Sequence, residues 1–232
     1  EASNTASPGH ISFYVHIPFC RHLCHYCGCN SYAAPEPEII DRYVAALHKE
    51  IDLVLPLLDK KRKISQIHYG GGTPTSLPAL ELEELNAHVL NEFYSIAKPE
   101  IAIECHPGWM KGRDWAKLTK IGFNRFSIGI QDFNEQVLRT VHRKAPLLQP
   151  EEIVATLRSC EVRINMDFLY GLPHQTEASF SETIERAVSL KPDRLVTFSY
   201  AHVPWAFPRQ KVLAKAGLPS DDEKSRMFEA AR

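Results

Sequence analysis

Several absences narrow the field before any motif is read. No stretch of about 18 apolar residues occurs in the chain, so no helix able to cross a bilayer is expected. The first ten residues carry no apolar core of the kind found in a secretory leader, and the expected location is cytoplasmic. An excess of one charge sign is missing too: 27 Lys and Arg stand against 28 Asp and Glu, for a net charge of -1. That balance argues against a nucleic-acid-binding surface. The local exception, Lys60-Lys61-Arg62-Lys63, falls between a predicted helix and a predicted strand and reads as a solvated loop. Cysteines spread along the chain, the mark of a disulfide framework, are also lacking. Four of the six lie within ten residues, while Cys105 and Cys160 stand far apart in apolar surroundings, so reduced thiols are expected. What remains, 232 residues of which 44% are hydrophobic and 24% charged, is enough for a substantial globular core.

The four bunched cysteines are the feature around which the rest is arranged. The run Cys20-Arg21-His22-Leu23-Cys24-His25-Tyr26-Cys27-Gly28-Cys29-Asn30 follows an apolar strand, and its first three thiols are spaced C-x3-C-x2-C. This matches neither the C-x2-C halves of zinc ribbons nor the C-x2-C-x2-C-x3-C run of bacterial ferredoxins. Soft sulfur ligands suit iron-sulfur clusters, zinc or copper(I), so ligand type alone leaves the metal open. Three close thiolates fit a cluster with one iron left free; a structural zinc knot is the alternative, although no regular second half-site is present.

Strands and helices alternate through the remainder. Residues 11–17 read as a strand, 39–58 as a helix with Tyr43, Leu47, Ile51 and Val54 at helical spacing, 64–69 as a strand ending in glycines, and 80–93 as a helix. Further strands are expected at 101–105, 125–130, 163–170 and 194–200, with helices at 114–121, 134–141, 150–158 and 178–190 and a last helical segment near the C-terminus. Six βα units call for a parallel sheet with helices outside, either doubly wound or rolled into a barrel.

Strand parity chooses between them. Phe126, Ile128 and Ile130 share one face and Ser127, Gly129 and Gln131 the other; Ile164, Met166 and Phe168 oppose Asn165 and Asp167; Ile101 and Ile103 oppose Ala102 and Glu104. A doubly wound sheet would bury Glu104, Gln131 and Asp167 without partners, at roughly 1 to 3 kcal/mol each. A barrel lumen holding a polar ligand satisfies them. Barrel sites lie at the C-terminal strand ends, where the cysteine run and Gly70-Gly71-Gly72 also fall. Taken singly, the glycines read as a tight turn, Asp167 with Glu104 as an acid-base pair, and Arg143 as a solvated charge at a helix end. His16 and His68 are expected to line the lumen, and the loop residues His22 and His25 to face solvent or form hydrogen bonds.

Taken together and in order, Tyr14-Val15-His16-Ile17-Pro18-Phe19-Cys20, the thiol run, Gly70-Gly71-Gly72-Thr73-Pro74-Thr75, Gln131-Asp132-Phe133-Asn134 and Tyr170-Gly171-Leu172-Pro173 resemble the radical S-adenosylmethionine (SAM) enzymes. Within them the resemblance is to the oxygen-independent coproporphyrinogen III oxidase family, and it runs from about residue 11 to about residue 219. The segment Tyr200-Ala201-His202-Val203-Pro204 is also similar to the family's stretch after the sixth strand.

The resemblance implies an α/β fold, an open six-stranded (β/α)6 partial TIM barrel of the radical SAM type. It implies one 4Fe-4S cluster per chain on Cys20, Cys24 and Cys27, with the fourth iron left to the amino and carboxylate groups of SAM. Contacts to SAM are implied for Tyr14, Tyr26, Gly71, Gly72, Thr73, Glu104, Gln131, Arg143, Asp167 and Ala201, and a second SAM molecule sits beside the first in this family. Cys29 is the candidate catalytic thiol: a substrate-side group, a reserve ligand or simply a small buried group. The implied activity belongs to haem and porphyrin biosynthesis: an oxidoreductase, coproporphyrinogen dehydrogenase, that turns coproporphyrinogen III into protoporphyrinogen IX. A 5'-deoxyadenosyl radical would take a hydrogen from the β-carbon of a propionate, and loss of carbon dioxide and one electron would leave a vinyl group, twice in turn. An electron donor such as flavodoxin or ferredoxin and a monomeric state are expected. Radical SAM haem chaperones and anaerobic haem-degrading methyltransferases share the triple-Cys signature and are the alternatives; Gly28-Cys29-Asn30 favours the oxidase.

The sequence departs from the family pattern in two ways. Members are roughly twice as long, so a core over residues 11–206 is expected after a flexible lead-in at 1–10, with 207–232 the start of a C-terminal extension. The stretch Arg158-Ser159-Cys160-Glu161-Val162-Arg163 lacks the family's usual Gly before the fifth strand and is about one residue short.

Overall fold

The structure, a computed structural model, describes residues 9–33 and 36–232. The lead-in expected at 1–10 therefore lies outside the described residues up to residue 8. The chain opens with β1 (His10–Ile17) and a short pair, β2 (Phe19–Cys20) and β3 (Tyr32–Ala33), that brackets the cysteine loop. Then follow α1 (Pro37–Val54), β4 (Lys63–Gly71), α2 (Ala79–Glu92), β5 (Ser95–Cys105), α3 (Gly112–Lys120) and β6 (Arg125–Gln131). The second half comprises α4 (Glu135–Thr140), α5 (Pro150–Ser159), β7 (Arg163–Tyr170), α6 (Glu177–Ser189), β8 (Arg194–Ser199), α7 (Lys211–Lys215) and α8 (Asp221–Ala230).

Six strands form one sheet in the order β1-β4-β5-β6-β7-β8, each pair parallel, with β1 and β8 as its two edges. This is the open six-unit α/β architecture expected from the alternation. Its outer face carries Ile67, Tyr69, Ile103, Phe126, Ile128, Met166 and Phe168, all buried against helix residues such as Leu82, Leu85, Trp115, Leu157 and Phe180. The driving force is ordinary burial of large apolar side chains, about 1.5 to 3 kcal/mol for each. The inner face is left to small and polar groups.

Local chemistry sets the ends of the elements. Pro37 and Pro150 open α1 and α5, where a missing N–H is harmless. Thr176 and Ser179 form a capping box on α6, and Ser220 with Glu223 on α8. Three differences from the expected boundaries have physical causes. β5 begins at Ser95 rather than 101, and its ladder with β4 is interrupted between Ile64 and Gln66, opposite a stretch that contains Pro99, which has no N–H to donate. β6 bulges against β7 between Gly129 and Gln131, and Gln131 takes a positive φ of 71°. At the turn lacking the family's glycine, Glu161 occupies the left-handed region itself, with φ 55°.

The last helix packs on the barrel: Met227 of α8 is fully buried within the main core. No helix among the described residues is long and apolar enough to cross a membrane.

Candidate active site

The cysteine loop is tied down from three sides at the C-terminal mouth of the sheet. From the strand ends, Gly72 N donates to Ile17 O at 2.8 Å and Thr73 N to Phe19 O at 2.9 Å. From the turn after α4, His25 N donates to Val141 O at 2.9 Å, His22 Nε2 to the His142 carbonyl at 2.8 Å, and His142 Nδ1 to Leu23 O at 3.1 Å. From the segment after β8, Arg209 Nε donates to Cys27 O at 3.0 Å and Gln210 Nε2 to Tyr26 O at 3.0 Å. Phe207 covers Gly28 from the same side: a Cβ there would meet its ring at 3.1 Å.

Glycine is required where β4 meets the loop. A Cβ on Gly72 would fall 2.8 Å from the Pro18 carbonyl group and 3.0 Å from Cys20 Sγ, while Gly71 has φ 115° and a Cβ there would strike the His16 ring at 2.6 Å. The glycines expected to admit a ligand thus also let β4 approach the cysteine loop.

Each of the three spaced thiols has at least one close hydrogen-bonding partner. Thr73 Oγ1 lies 3.4 Å from Cys20 Sγ, Arg143 Nη1 donates to Cys24 Sγ at 3.7 Å, and Cys29 N donates to Cys27 Sγ at 3.4 Å. The Cys29 thiol and amide, with Arg209 nearby, hold the Cys27 thiol down at about 6, against the opposing effect of burial. Burial pushes Cys20 up. Cys29 is exposed, so it is not a small buried group, and its hydrogen bond to Cys27 pushes its own thiol well up.

Beside these thiols is a cleft of about 460 Å³ lined by Cys20, Cys24, Tyr26, Cys27, Cys29, Gly71, Gly72, Thr73, Glu104, Gln131, Arg143 and Asp167. Two of the expected site residues stand apart. Tyr14 is 59% exposed and stacks on His68 with ring centroids 5.8 Å apart, and Ala201 is exposed beyond β8. A larger groove of about 880 Å³ runs along Tyr170, Lys224 and Phe228, away from the thiols.

The carboxylates of the cleft have separate partners. Glu104 Oε1 is 3.0 Å from His68 Nε2, and its Oε2 accepts from Gly71 N at 3.3 Å. Asp167 accepts from Ser127 Oγ and Asn165 Nδ2, both at 2.7 Å, and burial pushes its carboxyl up against the pull of these two bonds. The pair therefore does not form the mutual acid-base dyad that spacing alone allowed.

Arg143 differs most from the residue-level expectation. Instead of a solvated charge it is half-buried, with Nη2 on the Gly129 carbonyl and Nη1 on Tyr26 Oη at 3.1 Å as well as on Cys24. Burial holds the Tyr26 phenol well above its usual value, so it meets Arg143 uncharged.

The site also includes residues the sequence did not announce. Ser127 and Asn165 were expected on the inner face but not as the holders of Asp167. Arg209 and Gln210 gave no signal, being distant in sequence. His106, buried behind Cys24, went unread as well; the turn-forming sequence His106-Pro107-Gly108 after β5 is the one signal that could have marked it. Burial lowers its ring to about 2, so it stays neutral.

The donor set fits an iron-sulfur cluster. Three thiols meet at one cleft, each with a hydrogen-bond partner of the kind that supports thiolate ligands, and the carboxylates of Glu104 and Asp167 line the same cleft. An open parallel (β/α)6 sheet with such a triad at its C-terminal mouth defines a radical SAM core. The chain matches the radical SAM superfamily over residues 14–187 and belongs to it. Membership brings a 4Fe-4S cluster and SAM as its cofactors.

Within the superfamily the chain resembles oxygen-independent coproporphyrinogen III oxidases. It is 39% identical to that of Synechocystis sp. over 95% of this chain and 47% of the relative, and 41% identical to that of Escherichia coli over 92% and 47%. The solved structure of coproporphyrinogen III oxidase from Escherichia coli, described as a radical SAM enzyme, superimposes with a TM-score of 0.88 at 38% identity, covering 98% of this chain and 53% of that one. The chain spans about half the length of the curated relatives it matches. An archaeal Elp3 from Methanocaldococcus infernus, at 13% identity over 96% of this chain and 53% of that one with a TM-score of 0.62, shares the fold alone.

Proposed function

We propose that this chain is the radical SAM core of an anaerobic coproporphyrinogen III oxidase, which oxidatively decarboxylates two propionates of coproporphyrinogen III to the vinyl groups of protoporphyrinogen IX. One observation carries the radical reading: Cys20, Cys24 and Cys27 open on a single cleft that Glu104, Gln131 and Asp167 also line. The substrate is supported by the named relatives at 36–41% identity.

The cluster, when bound, would supply the electron for reductive cleavage of SAM. The chain's own residues hold and orient. Cys20, Cys24 and Cys27 would each hold one iron, and the exposed Cys29 would stay off the cluster. Glu104, fixed by His68 and Gly71, and Asp167, fixed by Ser127 and Asn165, present oxygens suited to an ammonium group and to ribose hydroxyls. Gly71, Gly72, Thr73, Tyr26, Gln131 and Arg143 line the same cleft, and Tyr14 and Ala201, which stand apart from it, would join only through a ligand that reaches beyond it. A one-electron donor of the flavodoxin or ferredoxin kind and a monomeric, cytoplasmic protein complete the reading.

The test is anaerobic reconstitution with iron and sulfide, followed by dithionite reduction with SAM and coproporphyrinogen III. Chromatography and mass spectrometry should find 5'-deoxyadenosine and protoporphyrinogen IX. Copurifying haem without turnover would indicate a haem chaperone instead, and a methylated porphyrin a methyltransferase. Absence of both cluster and SAM cleavage would overturn the reading.

A further inference from the structure

The ring of His106 closes the cleft behind Cys24 and is only 6% exposed. Its two nitrogens are in different situations. Nδ1 accepts a hydrogen bond from Gly108 N at 3.1 Å, so in the neutral ring the proton sits on Nε2. That contact depends on Gly108, where a Cβ would meet the carbonyl oxygens of Lys144 and Ala145 at 2.7 and 2.9 Å. Nε2 is buried and has no hydrogen-bond partner. Native proteins seldom leave a buried donor in that state, and an unfilled ligand position is one recognised reason.

A ring nitrogen of His106, Cys24 Sγ and a ring nitrogen of His22 lie within 4.8 Å of one another. The grouping resembles a small metal site, but the tautomer argues otherwise. A metal takes the lone pair of an imidazole nitrogen, and the ligating ring donates its other N–H to an acceptor behind it. In His106 the rear nitrogen, Nδ1, accepts a hydrogen bond from Gly108 N, so the nitrogen without a partner is a donor and not a ligand. A buried donor on a ring that has one nitrogen within 4.8 Å of a cysteine sulfur calls for an electron-rich acceptor.

We infer that His106 is a positioning residue for the cluster, its Nε2–H donating to sulfur at the Cys24 corner. The inference rests on the cluster assignment above. It gives that corner a second donor, because Arg143 Nη1 already reaches Cys24 Sγ at 3.7 Å. Hydrogen bonds to cluster sulfurs favour the reduced, more negative state and so raise the reduction potential. The role is thus to ease electron uptake at the ligand where two donors converge.

The test compares wild type, His106→Gln and His106→Phe after anaerobic reconstitution. Iron and sulfide are counted, the midpoint is measured by a redox titration followed by electron paramagnetic resonance, and exchangeable hydrons near the cluster are observed by electron-nuclear double resonance. The Phe variant should lose about tenfold in the one-electron reduction constant, a midpoint about 59 mV more negative, together with one coupled hydron. The Gln variant, which keeps an N–H, should recover most of the shift. An unchanged midpoint in a fully loaded Phe variant overturns the inference. Should that variant take up no iron, wild type labelled with 15N-histidine decides: coupling to a nitrogen bearing an exchangeable hydron supports the role, and its absence removes it. If wild type itself holds no iron, the cluster assignment fails and the inference falls with it.

Discussion

Arg143 Nη1 donates to the Tyr26 hydroxyl at 3.1 Å, joining the turn after α4 to the middle of the cysteine loop across 117 positions of sequence. The same guanidinium also serves Gly129 O and Cys24 Sγ. A lysine offers one point charge and cannot span three acceptors. Arg143→Lys should therefore destabilise the protein by about 1.5 to 3 kcal/mol, the worth of a charged hydrogen bond lost from a half-buried site. Urea unfolding at neutral pH measures this, and an unaltered midpoint would mean the guanidinium does not brace the loop.

Gly72→Ala tests the close approach of β4 to the cysteine loop. The added methyl meets backbone at Pro18, which cannot rotate away, and Cys20 Sγ. Overpacking of this kind costs about 1 to 3 kcal/mol, and the strain falls on an expected ligand. Iron taken up on reconstitution should drop well below wild type while the far-ultraviolet circular dichroism stays native. Full iron loading would show that the loop yields without harm.

Asp132 holds the turn after β6 to the one after β7, accepting from Gln175 Nε2 at 2.6 Å, Thr183 Oγ1 at 3.1 Å and Asn134 N at 2.8 Å. Burial nevertheless raises its pKa above the ordinary 3.8. A raised folded value means that the native state holds the proton more tightly than the unfolded chain does. The associated stability is present below about 3.8 and is lost as pH rises through the folded value. The stability difference between wild type and Asp132→Asn should accordingly be more favourable to wild type at pH 4 than at pH 7, as read from denaturant melts. The opposite slope would show that the three donors outweigh burial.

Glu161 sits at φ 55° after α5. A side chain there costs about 1 to 2 kcal/mol, partly offset by the greater entropy a glycine loses on folding. Glu161→Gly should stabilise by about 0.5 to 1 kcal/mol in thermal or urea melts. A loss of stability would place the strain elsewhere.

The six βα units were legible because parallel strands leave a period-two record: Phe126, Ile128 and Ile130 face the helices, while Ser127, Gly129 and Gln131 face the cleft. The spaced thiols were legible because ligand chemistry demands residue type and spacing together. Arg143 was not, since its acceptors lie 14 to 119 positions away and a charge at a helix end is ordinarily solvated. The same holds for Arg209 and Gln210, whose partners Cys27 and Tyr26 are 182 and 184 positions distant. The start of β5 was hidden by Lys98-Pro99, which reads as a break although Ser95 still pairs with Ile64. The buried ring of His106 depends on a glycine two residues on whose role appears only in three dimensions.

The central claim is that three thiols, and not four, hold the cluster that cleaves SAM. Its most direct test is iron and sulfide content together with 5'-deoxyadenosine production, measured anaerobically on wild type, on Cys20→Ala, Cys24→Ala and Cys27→Ala singly, and on Cys29→Ala. Wild type and Cys29→Ala should each carry a 4Fe-4S cluster and release 5'-deoxyadenosine, and the other three should lose both. Loss of the cluster in Cys29→Ala, or zinc in place of iron in anaerobically reconstituted wild type, would contradict the account.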